Sequence, residues 1–296
     1  MRAAILINPR AGLQQDDTVA NRTALARSTL QKFGISGQVT VTEGRNHGRE
    51  VARLLVESGI DTVVVWGGDG TVNAVASQLA FHDAALGIVP AGSGNGLARE
   101  LGLDWDPERA LDVALRGPVQ FIDAGELGGH LFFNVAGVGF DAHLATVFNA
   151  GTHRGILGYL RAMVRELMTY EPVRYEVKSD DFLIRDRAMI VAIANTRQYG
   201  NRAIIAPLAR PDDGLLALVV VPPLSPLSGL WQACRLFTGT VHRLQGVAMR
   251  SVCSGEITGS GPLTFHVDGE VVSGARELSF NVHPGALGVR VPIGDR

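Results

Sequence analysis

Two carboxylates sit in settings that could do chemistry. Asp69 lies inside Gly67-Gly68-Asp69-Gly70-Thr71, and Glu270 ends His266-Val267-Asp268-Gly269-Glu270. The first follows a β-branched run, Thr62 to Val65, and helical spacing resumes from Thr71. A strand that ends in glycines and feeds a helix gathers backbone N–H groups and the positive helix end where an anion can approach. An aspartate there repels phosphate unless a divalent cation stands between them, so the stretch points to magnesium-nucleotide chemistry. The Thr71 hydroxyl can cap the helix or face a phosphate. In the second setting Asp-Gly is a hairpin-turn signal, and a carboxylate on such a turn could act as a general base.

Further residues carry weaker signals. Pro90-Ala91-Gly92-Ser93-Gly94-Asn95 again joins strand to helix, with Ser93 able to donate to a phosphate or ribose. Asn8-Pro9-Arg10-Ala11-Gly12 after the first strand, and Thr42 after the second, read equally as tight turns or nucleotide contacts. Asp123 closes another apolar strand and could join Asp69 around a metal. Pro211-Asp212-Asp213-Gly214-Leu215 is a plain turn or an ion-binding one, and its residues alone favour the plain turn. The eight histidines show no paired spacing, and GxSxG and GxxxxGK[ST] are both absent.

The elements that must position these residues follow from hydrophobic period. Strands are expected at Ala3 to Ile7, Val39 to Thr42, Thr62 to Val65 and Leu86 to Val89. Helices are expected at about Asp17 to Phe33, Arg49 to Ser58, from Thr71, and at Gly96 to Leu101, with Glu43 to Gly48 a loop. This alternation, to about residue 117, predicts a parallel α/β sheet with all four loops on its ligand-binding edge. After Pro118 strands dominate: Val119 to Ile122, Leu131 to Val135, Arg174 to Lys178, Ala188 to Ala194, Leu215 to Val221, Leu263 to Val267 and Glu277 to Val282. They predict a mainly antiparallel β domain. Two segments break that rule, Arg154 to Thr169 and about Leu227 to Leu244. In the first, Ile156, Leu160, Val164 and Leu167 share one helical face, while Arg154, Arg161 and Arg165 line another.

Composition bounds the rest. A chain of 296 residues, 46% hydrophobic, has enough for a real core and suits one large or two medium domains, of which two are expected. A formal charge of -2 argues against a nucleic-acid partner. Lys32 and Lys178 are the only lysines, so a phosphate site must use amides, arginine and metal. Cys234 and Cys253 form no disulfide framework or zinc pattern and fit a reducing cytoplasm. No run approaches the roughly 18 apolar residues of a membrane span. The expected location is the cytoplasm, with peripheral contact at the inner membrane face as the closest approach to lipid.

NPRAG, GGDGTVNAV, PAGSGNGLARELGL, FIDAGELGGHLFFNVAGVGFDAHL and HVDGE, in this order, resemble the diacylglycerol kinase catalytic family, which includes bacterial lipid kinases and sphingosine and ceramide kinases. The resemblance runs from about Ala3 to Val291. It implies a nucleotide-binding α/β domain at 1–122, to which a tail at about 285–296 returns, and a β-sandwich at 123–284, with ATP and lipid meeting in the cleft between. It also implies that Asn8, Thr42, Gly67, Gly68, Asp69, Gly70, Thr71, Asn73 and Ser93 contact ATP. Glu270 is implied as the proton acceptor, Asp69 as an acid of the magnesium network and Asp123 as its neighbour. A structural magnesium is implied at the Arg210 and Leu215 carbonyls and the Asp213 carboxylate, in preference to the plain turn. Many bacterial members carry aspartate where this chain has Gly96, so the resemblance does not fix the lipid, diacylglycerol or sphingoid. NAD kinase shares GGDGT but leaves NPRAG and HVDGE unexplained, and a non-catalytic sensor on the same scaffold need not keep both acids. The implied partners are ATP and a lipid at a membrane surface; a homodimer is compatible with the chain.

Overall fold

The computed structural model describes residues 1–12, 18–150, 164–179, 181–225, 232 and 234–293. They divide into two compact units, Met1–Ala124 with Pro284–Arg296, and Gly125–His283.

The first unit is α/β. Strands β1 (Arg2–Ile7), β3 (Thr62–Gly67) and β4 (Ala85–Pro90) are apolar runs buried almost throughout, as strands covered on both faces must be. They lie parallel in the order β4-β3-β1-β2, with β2 (Ser36–Val41) a more exposed edge. The far end of β14 (Glu270–Arg290) pairs parallel with β4 at Val289 and Leu86. Helices α1 (Val19–Lys32), α2 (Arg45–Glu57), α3 (Asp69–Leu79), α4 (Gly96–Glu100) and α5 (Pro107–Arg116) connect the strands. Their ends follow local chemistry. The Thr18 hydroxyl accepts the Asn21 N–H at the start of α1, and the Asp106 carboxylate accepts the Arg109 N–H with Pro107 in the first turn of α5. Helix α2 starts at Arg45, inside the stretch read as a loop from Glu43 to Gly48; its apolar face only becomes periodic later, which hid its first turn.

The second unit is a β-sandwich. Strands β12 (Ala248–Val252), β11 (Leu216–Val221), β10 (Ile190–Ala194) and β7 (Val135–Gly139) run antiparallel, and the end of β13 (Ser254–Val267) continues them. The earlier half of β13 instead pairs with β8 (Val173–Ser179), beside β9 (Phe182–Ala188). One long strand thus serves both layers, and Phe132, Val138, Val177, Ile193, Leu218, Ile257, Phe265 and Phe280 fill the core. The expected strand Leu131 to Val135 is two, β6 (His130–Phe132) and β7, parted by a two-residue link; Ala188 to Ala194 is parted at Met189. Helix α6 (Phe140–Ala150) follows β7. Residues 164–169 are helical, whereas Arg154, Ile156, Leu160 and Arg161 lie outside the described residues, as do 227–231 and 233 of the second expected helical segment. Among the described residues no helix is long and apolar enough to cross a membrane.

Candidate active site

In the first unit, β3 ends at Gly67 and α3 begins at Asp69, with Gly68 as its N-cap and no side chain capping it. The second glycine loop lies directly against the first. A Cβ on Gly92 would stand 2.6 Å from Gly68 Cα, so only a glycine pair lets the two backbones approach. The Asp69 carboxylate fastens this contact. Its Oδ2 accepts the Asn95 N–H at 2.7 Å and its Oδ1 the Gly96 N–H at 2.6 Å. Asn95 is left-handed, with φ 49°, and its Oδ1 accepts the Gly92 N–H at 2.9 Å. Burial pushes the Asp69 carboxyl above its ordinary range; the amides of Gly96, Asn95 and Asp69 itself, and the Arg99 charge, pull it back only in part.

A cavity of about 530 Å³ opens on these loops, lined among others by Asn8, Arg10, Arg45, Asp69, Thr71 and Ser93. Asn8 Nδ2 donates to Thr71 Oγ1 at 2.7 Å, which orients that hydroxyl, and Asn8 Oδ1 accepts the Arg10 N–H at 2.9 Å. Gly68 and Gly70 line the cavity as well, and Gly67 lies under the Thr71 side chain. Thr42 is buried, its hydroxyl donating to the Ile7 carbonyl at 3.3 Å, and Asn73 is buried one turn into α3. Neither lines the cavity, and nor does Asp123, which is buried with Oδ1 accepting the Gly285 N–H at 2.8 Å. Arg10 and Arg45 are the cations that sequence reasoning missed. Arg45 sat in an apparent loop, and Arg10 in a motif noticed for its turn residues. A larger cavity of about 630 Å³ in the second unit, lined by Pro222, Arg235, Arg243 and Gly246 among others, holds none of these groups.

The first cavity suits a polyphosphate: two guanidiniums, glycine-loop backbone and an uncapped helix start face it. Asp69 is the one carboxylate among its described lining residues. With about four lone-pair sites on its two oxygens, it can accept these amides and still meet a hard cation, and magnesium is commonly held by one or two carboxylates with phosphate oxygens and water. Among the described residues no three His, Cys, Asp or Glu cluster as a metal site. At the turn after Arg210, Asp213 Oδ1 accepts the Leu215 N–H at 3.1 Å and Gly214 has φ 73°.

In the second unit, Glu270 is half-buried and opens β14. Val267 pairs with Glu270 across a two-residue hairpin, and Asp268 (φ 48°) and Gly269 (φ 83°) both have the positive φ of a type I′ turn. Sequence reasoning took Asp268 only as a turn residue. Its carboxylate in fact accepts three successive backbone N–H groups, two from the β6–β7 link and one from the start of β7: Phe133 at 2.9 Å, Asn134 at 2.9 Å and Val135 at 3.1 Å. His266 and Asp141 were missed altogether. His266 Nε2 lies 3.1 Å from Asp141 Oδ2, which also accepts the Tyr199 hydroxyl at 2.9 Å. Nothing in the local pattern joins two residues 125 positions apart.

Comparison with known proteins bears on what these units are. Residues 2–127 match the diacylglycerol kinase catalytic domain, and residues 134–291 the YegS C-terminal NAD kinase beta sandwich-like domain. A probable lipid kinase YegS-like from Pectobacterium atrosepticum is 30% identical over 270 residues, 89% of each chain. One from Pseudomonas aeruginosa is 31% identical over 262 residues, 86% of this chain and 85% of that one. A crystal structure of a diacylglycerol kinase from Bacillus anthracis shares the fold, with TM-score 0.78 at 18% identity over 99% of this chain and 97% of that chain. With one domain model on each unit and relatives matched over most of their length, the chain belongs to the diacylglycerol kinase catalytic-domain family, with a YegS-type C-terminal β-sandwich.

Proposed function

We propose that this protein transfers the γ-phosphoryl group of magnesium-ATP to a hydroxyl of a lipid, of diacylglycerol or sphingoid type. The observation that carries the reading is the pair of glycine loops, joined by Asp69 and opening on an arginine-lined cavity sized for a nucleotide. The relatives' printed name, probable lipid kinase, supplies the acceptor class.

The residues divide the work by chemistry. Gly68, Gly70 and Thr71 receive phosphate oxygens at the start of α3, Asn8 fixes the Thr71 hydroxyl, Ser93 donates from the second loop, and Arg10 and Arg45 balance the polyphosphate charge. In this reading Gly67, Thr42 and Asn73, buried behind the lining residues, support the ATP-contacting loops from beneath. Magnesium, held at Asp69, with Asp123 in support, would neutralise charge building on the transferred group. Asp213, with the Arg210 and Leu215 carbonyls, would hold a second, structural ion. Glu270 takes the acceptor proton as attack proceeds, since a lipid hydroxyl is too weak an acid to ionise beforehand. Contact with the lipid is at a cytoplasmic membrane surface, without nucleic acid.

The test is thin-layer chromatography of γ-labelled ATP with a panel of lipids and, separately, NAD. Magnesium-dependent label in a lipid is expected. Label in NAD alone would establish the NAD kinase alternative, and label in nothing would leave a non-catalytic sensor.

A further inference from the structure

Asp268 lies in the turn that leads into Glu270, and the His266–Asp141 pair reaches the same turn at Gly269; both go beyond the roles assigned so far. Asp268 sits at φ 48°, a conformation that most side chains avoid but that Asp and Asn tolerate. The turn is therefore tailored to it, and the carboxylate grips backbone: three N–H groups of residues 133–135 converge on its two oxygens, and its own N–H donates to the Val135 carbonyl at 3.1 Å. The link it grips is held from its other side by Asn195. The side-chain amide of Asn195 donates to the Phe133 carbonyl at 3.1 Å, and its backbone N–H donates to the Asn134 carbonyl at 2.8 Å.

The other half of the turn is fixed through His266. Asp141 receives the Tyr199 hydroxyl and, on its other oxygen, the Ala142 N–H at 2.8 Å. As an acceptor it takes the Nε2–H of His266, and the Gly269 N–H, directed at Nδ1 at 3.4 Å, uses that nitrogen as an acceptor. The side chains of His266 and Asp141 are 4% and 9% exposed, so this arrangement is shielded from competing water. Gly137, opposite His266 in β7, makes room for it: a Cβ there would stand 2.8 Å from Asp141 Oδ2.

We propose that Asp268 and the Asp141–His266 pair are positioning residues that aim Glu270, holding the two turn residues before it, Asp268 and Gly269, so that the base is presented in one orientation. The proposal rests on Glu270 being the base. It predicts that the clamp acts on turnover through that residue alone, whereas a purely structural clamp acts regardless of what stands at 270.

The experiment is a double-mutant cycle. Asp268→Asn keeps the left-handed preference and the shape, but its nitrogen cannot accept an N–H. His266→Asn keeps an acceptor near the Nδ1 position and gives up Asp141; His266→Ala gives up both. Each is made in the wild type and in Glu270→Gln, with kcat, KM for ATP and Tm measured using magnesium-ATP and the lipid that the wild type labels best. In the wild-type background we expect kcat to fall by about 10-fold or more for Asp268→Asn, with KM for ATP kept within about 2-fold, since an ångström of misplacement can cost roughly 10²-fold. His266→Asn should recover part of what His266→Ala loses. In the Glu270→Gln background the same changes should alter the residual rate by less than about 2-fold. Equal losses in both backgrounds, or an undiminished kcat in Asp268→Asn and His266→Ala, would overturn the clamp while leaving Glu270 as base. Near-normal turnover in Glu270→Gln alone would instead remove the reading beneath it.

Discussion

Replacing Asp69 by asparagine isolates the tie between the two glycine loops. The side chain keeps its shape and one accepting oxygen, but the new nitrogen faces a backbone N–H, of Asn95 or Gly96, that it cannot accept. A protonated aspartate does not mimic this, because its hydroxyl oxygen retains a lone pair. One buried donor is therefore orphaned, at a cost of about 1–3 kcal/mol, which corresponds to a fall in Tm of roughly 3–9 °C for a unit of this size. If the same energy is lost from the nucleotide-competent arrangement of the loops, ATP affinity falls by about 5- to 150-fold. Differential scanning fluorimetry and titration calorimetry read the two effects. The sign of the pH dependence also follows. Burial holds the Asp69 carboxyl above its ordinary value, so the folded protein binds that proton more tightly than the unfolded chain. The stability it contributes is complete below the unfolded value and is lost as pH rises through the folded one. The wild-type advantage over Asp69→Asn should therefore be greatest in acid and shrink on titration upward. A variant with unchanged Tm and unchanged ATP affinity would refute the tie.

Other perturbations address neighbouring parts. Gly92→Ala places a Cβ 2.6 Å from Gly68 Cα and 2.9 Å from Asn95 Oδ1, so the loops must part; we expect a loss of about 1–3 kcal/mol and of ATP binding. Gly261→Ala, where a Cβ meets nothing within 4 Å, should change stability by less than about 0.5 kcal/mol in the same melts. Chelation should abolish phosphoryl transfer, and magnesium should restore it. If an ion occupies the turn after Arg210, chelation should also lower the Tm of the wild type but not of Asp213→Ala, and equal melts would remove that ion.

The parts legible in the sequence are those whose physics is local. The β-branched run before Gly67 and the helix after it follow from residue type and period, and both glycine loops fall where strand meets helix. The hairpin was visible as Asp268-Gly269. Hidden were contacts made by folding: the Asp69 carboxylate on amides 26 and 27 residues away, Asp268 on amides 133 to 135 residues away, and His266 on Asp141. No period relates such positions. The split of Leu131 to Val135 into β6 and β7 has the same origin, because the apolar run is broken only at Asn134 while the amides of Phe133 and Asn134 turn to Asp268. Arg45 escaped notice because an arginine before an amphipathic stretch is ordinary for a solvated surface.

The central claim is that a carboxylate at position 270 takes the proton of a lipid hydroxyl as magnesium-ATP gives up its γ-phosphoryl. Steady-state turnover of Glu270→Gln against the wild type, with ATP affinity measured on the same preparations, tests it most directly. The account predicts a fall in kcat of about 10²-fold or more with ATP binding retained. Turnover within a few-fold of the wild type, in a variant that still binds ATP, would contradict it.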